Sequence, residues 1–252
     1  MAEKQRSEIL ETLSTVMWAI GIALVLRTFL FQPFHIPSGS MLPGLMKGDY
    51  IITSKYSVGY GRFAAAPIPF PVKEGRFLER GPKRGDVVVF RPEGISDNYI
   101  KRLIGLPGDE VQMIDGKVYI NGVAVEQTAE PATPFRYFDT SNIERNINVH
   151  KNVETQANGK SYVVFDSVSN NRLDNTPVIR VPEGHYFMLG DNRDGSNDSR
   201  VKVRNGGAGL VPSTNIIGKA EIVLLSVDND FALFKPWTWF NMRGNRFFKR
   251  IK

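Results

Sequence analysis

The chain has 252 residues, 42% hydrophobic and 23% charged, which are the proportions of a chain that folds around a core rather than staying disordered. It contains no cysteine, which excludes disulfide bracing, thiolate metal sites and a thiol nucleophile together. A net charge of +6 leaves nucleic acid and an anionic membrane surface open as partners, and the location of the excess decides between them.

Residues 1–12 are polar, with Lys4 and Arg6 set among Glu3, Glu8 and Glu11. From Leu13 to Phe31 the chain reads LSTVMWAIGIALVLRTFLF, in which Arg27 is the one charge. That is close to the roughly 20 residues an apolar helix needs to cross a bilayer, and an arginine near the helix end can extend its guanidinium to the headgroups. A transmembrane helix over 13–32 is expected. Gln32-Pro33-Phe34-His35 follows it without a small-x-small cleavage site, so the run reads as an anchor and not as a removable leader. Lys4 and Arg6 on the short side, with Lys47 the next basic residue after the span, put residues 1–12 in the cytoplasm and the bulk of the chain outside it.

The next stretch is Phe34-His35-Ile36-Pro37-Ser38-Gly39-Ser40-Met41-Leu42-Pro43. Pro37 and Pro43 fix their own φ and push the residues before them toward extended conformations, while Gly39 permits close backbone approach. The result is a rigid, exposed presentation of a hydroxyl. A Gly-Asp turn at Gly48-Asp49 opens a β-rich run to Thr53, and the same device recurs at Gly85 to Phe90. Between them, Gly59 to Gly85 is rich in Gly, Pro and Ala and reads as a long connecting loop; its Ala64 to Pro71 portion is apolar enough to touch a bilayer. Tyr99 to Asp109 reads as a strand ending in a turn. Val111–Ile114 and Lys117–Ile120 are joined by Asp115-Gly116, and Val123–Val125 follows Asn121-Gly122, pairs that favour tight type I′ turns and so a β-meander.

Residues 126–180 are more polar and irregular, with one clear strand at Ser161 to Phe165, and read as an insertion. Val181 to Leu189 leads as a short strand into Gly190-Asp191-Asn192-Arg193-Asp194-Gly195-Ser196-Asn197-Asp198-Ser199-Arg200, and Ile222 to Val227 reads as another strand. From Phe231 to Lys252 there are seven aromatic residues, six Lys or Arg and no acid, so the whole net charge can be placed there. Trp237, Trp239 and Phe240 beside Arg243, Arg246, Lys249 and Arg250 would suit single-stranded nucleic acid or an anionic headgroup layer. With an anchor at the other end of the chain, the membrane is the expected partner and nucleic acid is not.

A serine nucleophile needs a base, and the three histidines, His35, His150 and His185, stand in no triad-like context; His150 reads as a solvated surface residue. A lysine or a carboxylate remains. Lysine is useful only if its pKa falls, and desolvation is the available means. Lys101 is suited to it, flanked by Tyr99, Ile100, Leu103 and Ile104 in a strand where alternate residues face a core.

Three segments, Phe34–Pro43, Tyr99–Asp109 and Gly190–Arg200, resemble in order and nearly letter for letter the motif set of the bacterial type I signal peptidases, membrane-bound serine proteases with a Ser/Lys dyad. The resemblance implies Ser40 as nucleophile and Lys101 as general base that later protonates the leaving amine. It implies an oxyanion hole from the Ser38 hydroxyl and the Ser40 backbone N–H, and Ser196 orienting the lysine. Arg102, Asp191, Asp198 and Arg200 are expected as structural support, Asp191 pairing with Arg102 and Asp198 with Arg200. The substrate, the signal peptide of a preprotein, would lie extended along the strand leading to Ser40, with Phe34, Ile36 and Met41 shaping shallow pockets for small residues. Ser40 lies only nine residues beyond Phe31, close to the bilayer surface where such substrates emerge. The resemblance further implies the bacterial cytoplasmic (inner) membrane, a catalytic part on the periplasmic or extracytoplasmic side, lipid contact and possible contact with the export machinery.

The resemblance covers the anchor, 34–54, 85–122 and 182 to about 227. A single span is expected where some relatives have two, and the cysteine pair of some members is missing. The expected fold is mainly β, with a cytoplasmic N-terminus over 1–12, a transmembrane helix over 13–32 and an antiparallel β-sheet catalytic core over 33–110 and 181–228. An inserted β-rich domain over 111–180 and a basic aromatic membrane-associated tail over 229–252 complete it. No cofactor or metal is expected: Asp191, Asp194 and Asp198 have calcium-like spacing, but no glutamate closes the loop and arginines crowd it. Two other readings compete, a maturation peptidase of the same dyad class dedicated to one substrate, and a non-catalytic membrane-anchored periplasmic module.

Overall fold

The structure, a computed structural model, describes residues 2–64, 72, 75–138, 143–166, 168, 170–228 and 242–252. Helix α1 (Ala2–Val25) passes through a π-helical turn, Leu26–Leu30, straight into strand β1 (Phe31–His35). Glu8–Leu30 is long and apolar enough to cross a membrane, and its large side chains, Trp18 and Met17 among them, are exposed. Phe31 and Gln32, which hydropathy alone assigns to the span, belong to β1, where they pair with Ser54 and Thr53. Pro33 is the physical reason. It cannot continue a helix, and it biases the residue before it toward extended backbone.

The strands that follow are β2 (Asp49–Ser54), β3 (Val87–Phe90) and β4 (Tyr99–Gly105). All four residues of β3 are buried, as are residues 100–105 of β4, so both faces of these strands are covered. That accounts for the unbroken apolar run Val87-Val88-Val89-Phe90. Next come β5 (Glu110–Ile114), β6 (Lys117–Ile120) and β7 (Val123–Ala124). Their two turns carry positive φ at both central residues, 47° and 75° at Asp115-Gly116 and 53° and 79° at Asn121-Gly122, as type I′ hairpins require.

Strands β8 (Glu126–Phe138), β9 (Glu144–Thr155) and β10 (Ser161–Phe165) form a separate three-stranded sheet. The long β8–β9 hairpin falls within the β-rich insertion expected over 111–180, at residues that by themselves read as polar and irregular. Pro131 and Pro134 interrupt the strand signal there, and the pairing shifts register between Glu130 and Thr133 to pass Pro131. One face of this sheet is not polar: Val149 and Phe165, with Phe135 and Tyr137 beside them, pack on Leu42 and Met46. The hairpin therefore lies against the chain that follows Ser40.

The remaining strands are β11 (Ile179–Arg180), β12 (His185–Leu189), β13 (Val211–Pro212), β14 (Ile216–Ser226) and β15 (Lys249–Arg250). The main sheet runs β1-β2-β14-β3-β4-β12-β13, with β15 also on β14, and its pairings are antiparallel. The fold is thus mainly β behind one N-terminal apolar helix. In a flat sheet β1 and β4, four steps apart, would be separated by roughly 19 Å. Three register shifts along β14 let the sheet roll instead, and Ile36, Met41, Leu45, Ile51, Val89 and Ile100 fill the interior in one cluster. The roll carries the chain after β1 across to β4.

Of the tail, Trp237, Trp239 and Phe240 lie outside the described residues, as does most of Ala64 to Pro71. Two of the tail's arginines do not face a headgroup layer. Arg246 is buried and donates to both carboxylate oxygens of Asp49, at 3.0 and 2.5 Å, and Arg243 donates to the carbonyls of Lys47 and Val227. Asp49, itself fully buried, explains this: an isolated buried carboxylate is costly, and a guanidinium compensates it.

Candidate active site

Ser40 stands in the turn that leaves β1, and Lys101 in the middle of β4. The roll of the sheet brings them together, with Lys101 Nζ 2.7 Å from Ser40 Oγ and 3.0 Å from its own neighbour's carbonyl, Ile100 O. Both side chains are buried. Burial pushes the Lys101 ammonium down from 10.5 to about 8, against the opposing pull of the Asp198 and Asp191 carboxylates. No histidine shares the site: His35 and His150 are exposed, and the His185 ring meets the Glu183 carbonyl.

Ser38 Oγ lies 3.3 Å from Ser40 Oγ. The Ser40 N–H donates no hydrogen bond within the described residues. The turn is held from the opposite side by Asn192, whose N–H donates to Ser40 O and whose side-chain amide donates to Gly39 O, each at 3.1 Å. Asn192 is a site residue that sequence reasoning missed. In a Gly-Asp-Asn-Arg run it reads as an ordinary turn residue, and only the tertiary fold shows which loop it grips.

The Ser196 hydroxyl is buried and lies near the Asp198 carboxylate, but it makes no hydrogen bond of normal geometry among the described residues, to Lys101 or otherwise. It is nevertheless packed into the site. Gly190 is pressed between Ser196 and the Ser40 carbonyl so closely that a Cβ there would meet Ser196 Oγ at 2.2 Å and Ser40 O at 2.5 Å.

Arg102 points away from Lys101, as alternation along a strand requires. It donates to both oxygens of Asp191, at 2.7 and 2.6 Å, and its guanidinium stacks 3.7 Å from the centre of the Tyr162 ring. Arg200 likewise donates to both oxygens of Asp198, each at 2.8 Å. Burial alone would raise the Asp198 carboxyl, but Arg200 and the Gly190 N–H hold it below the usual range. A further buried pair, Arg193 with Glu154 at 2.6 Å, ties this loop to β9. Thus Asp191 and Asp198 are committed to arginines. Asp194 falls instead beside Asp166 and Asp174, their carboxylate oxygens within 4.8 Å of one another.

Ile36 and Met41 are buried in the cluster beneath Ser40, with Phe34 half-buried against it. Two strand edges near Ser40 carry no partner among the described strands. One is the outer edge of β1, which pairs only with β2; the other is the side of Tyr99–Lys101 away from β3, because β12 pairs with β4 only from Arg102 onward.

The family model described as signal peptidase, peptidase S26, matches residues 9–225. The chain is 41% identical over 267 residues to a protein named Signal peptidase I from Rickettsia typhi (strain ATCC VR-144 / Wilmington), covering 98% of this chain and 96% of that one. It is 41% identical over 253 residues to the Signal peptidase I of Rickettsia felis (strain ATCC VR-1525 / URRWXCal2), covering 93% and 90%. Among solved structures, that of a signal peptidase I from Enterococcus faecalis V583 is 31% identical and covers 56% of this chain and 97% of that one, with a TM-score of 0.31.

Proposed function

The chain belongs to the signal peptidase family, peptidase S26, and on that footing we propose that Ser40 and Lys101 are the dyad with which it removes signal peptides from preproteins. It is a hydrolase of the serine-peptidase class, and the observation that carries the residue assignment is the 2.7 Å contact between a buried lysine and the Ser40 hydroxyl.

The chemistry depends on the neutral amine. An ordinary lysine is neutral in about one molecule in 3,000 at pH 7, whereas one with a pKa of about 8 is neutral in about one in ten. Neutral Nζ accepts the Ser40 proton across the existing contact as Oγ attacks the carbonyl carbon of the scissile bond. The Ser40 N–H and the Ser38 hydroxyl donate to the resulting oxyanion. The Lys101 ammonium then gives its proton to the leaving amine, the C–N bond breaks, and the signal peptide is left as an ester on Ser40. Water, deprotonated by the regenerated amine, attacks that ester and frees the acid and the serine. Asn192 and the Arg102–Asp191 pair act through the positions of the Ser40 turn and of β4.

The two unpaired edges at β1 and at Tyr99–Lys101 suit an extended peptide added as a strand, and Ile36 and Met41, both buried, with Phe34 half-buried against them, make the apolar floor on which small side chains are expected before the cut. The helix anchors the chain in the bacterial cytoplasmic membrane with Ser40 on the extracytoplasmic side, and the tail's remaining basic and aromatic side chains meet lipid headgroups. Contact with the export machinery belongs to the same reading. The test is cleavage of a preprotein with an Ala-x-Ala site by intact protein, Ser40→Ala and Lys101→Met in lipid. Loss of about a thousandfold or more in both variants is expected. Near-normal rates in Lys101→Met would show that another group is the base.

A further inference from the structure

Lys55 is a second buried lysine, 1% exposed, and the dyad chemistry makes no use of it. No carboxylate faces it among the described residues. Its Nζ donates instead to two backbone carbonyls, Arg27 O at 2.7 Å and Ala64 O. Arg27 belongs to the π-helical turn where the membrane helix ends.

A helix end leaves its last carbonyls without intrahelical partners, and they carry the negative end of the macrodipole. Here Leu26 O is taken by the Phe31 N–H. The Lys55 N–H donates to Leu30 O at 2.9 Å and the Tyr60 hydroxyl donates to Phe29 O at 2.8 Å. With Lys55 Nζ on Arg27 O, three carbonyls of this last turn are held by one short segment, residues 55–60, which begins where β2 ends. Phe29 also stacks edge-on against the Tyr60 ring, and Phe31 against Tyr56. In addition, no loop separates the helix from β1, so five residues beyond His35 the chain reaches Ser40.

A membrane anchor that served only as a tether would need none of these contacts. We propose that Lys55 and Tyr60 clamp the end of the anchor helix to the catalytic sheet, which makes the helix a fixed strut that sets the height and angle of Ser40 over the bilayer. They are then positioning residues, needed for substrates that are themselves held in the membrane and dispensable for short peptides in solution. The inference rests on the reading of Ser40 as nucleophile only for its kinetic consequence.

The experiment uses the full chain in vesicles of phosphatidylethanolamine and phosphatidylglycerol, as intact protein, Lys55→Met and Tyr60→Phe. Two substrates are compared, a preprotein inserted in the same vesicles and a short soluble peptide with the same Ala-x-Ala site. Expected is a fall of about tenfold in kcat/KM for the preprotein with the peptide changed less than about twofold, since small misplacements of a site are costly only where the substrate cannot follow. An equal fall on both substrates, or none on either, overturns the clamp. Spin labels on Ala19→Cys and Glu93→Cys, introduced into a chain without other cysteines, give a reading that needs no activity. The distance distribution should be narrow in the intact protein and broader in both variants; an unchanged width overturns the proposal. Tyr60→Phe removes a single hydroxyl and keeps the test usable if Lys55→Met does not fold. Should the intact protein cleave neither substrate, the dyad reading fails, while the label widths still decide the clamp.

Discussion

An ammonium taken out of water binds its proton less tightly, and Lys101 is buried with Ser40 Oγ and Ile100 O as its hydrogen-bond partners. The same burial has a stability consequence. The folded pKa of about 8 lies below the ordinary 10.5, so between these values the unfolded chain takes up a proton that the folded chain does not. Stability therefore falls as pH drops from 10.5 to 8, by about 3 kcal/mol, and stays lowered below that. Lys101→Met removes the penalty. Thermal unfolding in detergent should show this variant more stable than the intact protein at pH 7, with the difference shrinking toward pH 10.5. A variant less stable than the intact protein at pH 7 would mean that Lys101 is not desolvated.

At the scale of elements, the site depends on how closely the segment after β12 lies against the turn after β1. Gly190 sits at that crossing, where a Cβ would collide with Ser196 Oγ and Ser40 O. Gly190→Ala should cost about 1–3 kcal/mol of stability and lower kcat/KM about tenfold or more, measurable by urea unfolding and by preprotein cleavage; unchanged values for both would show that the crossing is loose. The turns and short strands here were legible because their signals are local. Asp115-Gly116, Asn121-Gly122 and the apolar run of β3 depend on residues a few positions apart. The β8–β9 hairpin was not legible, because prolines at 131 and 134 break its alternation and its apolar face is specified by Leu42 and Met46, some ninety residues away. Asn192 and the Arg193–Glu154 pair escaped for the same reason: their partners are set by the fold and leave no mark nearby in sequence. The Arg102–Asp191 and Arg200–Asp198 partners were suggested by their company in the motifs, which local chemistry alone does not supply.

Across the whole molecule, the end of the N-terminal helix and the described part of the tail are both fastened to one rolled sheet. The anchor ends on residues 55–60, and the tail returns as β15 beside β14, with Arg246 on Asp49. Asp49 also accepts from the Ser226 hydroxyl and the Met46 N–H, at 2.6 and 2.8 Å, which makes it the joint between tail, sheet and the segment just past Ser40. Asp49→Asn would leave the Arg246 guanidinium buried without its counter-charge and should destabilise the protein by about 3–5 kcal/mol, read by chemical denaturation in detergent; a change below about 1 kcal/mol would mean that the tail is not docked in solution. The basic tail residues that sequence assigned to lipid divide accordingly, Arg243 and Arg246 turning inward while Lys249 and Arg250 remain exposed.

A desolvated Lys101 acting as the base for Ser40 is open to direct test. The most direct measurement is the pH dependence of kcat/KM for preprotein cleavage by the intact protein in lipid, since that profile reports the ionisation of the free enzyme. With Lys101 buried as the base, kcat/KM should rise with pH through a midpoint near 8. A midpoint near 10.5, the value of a lysine in water, would contradict it.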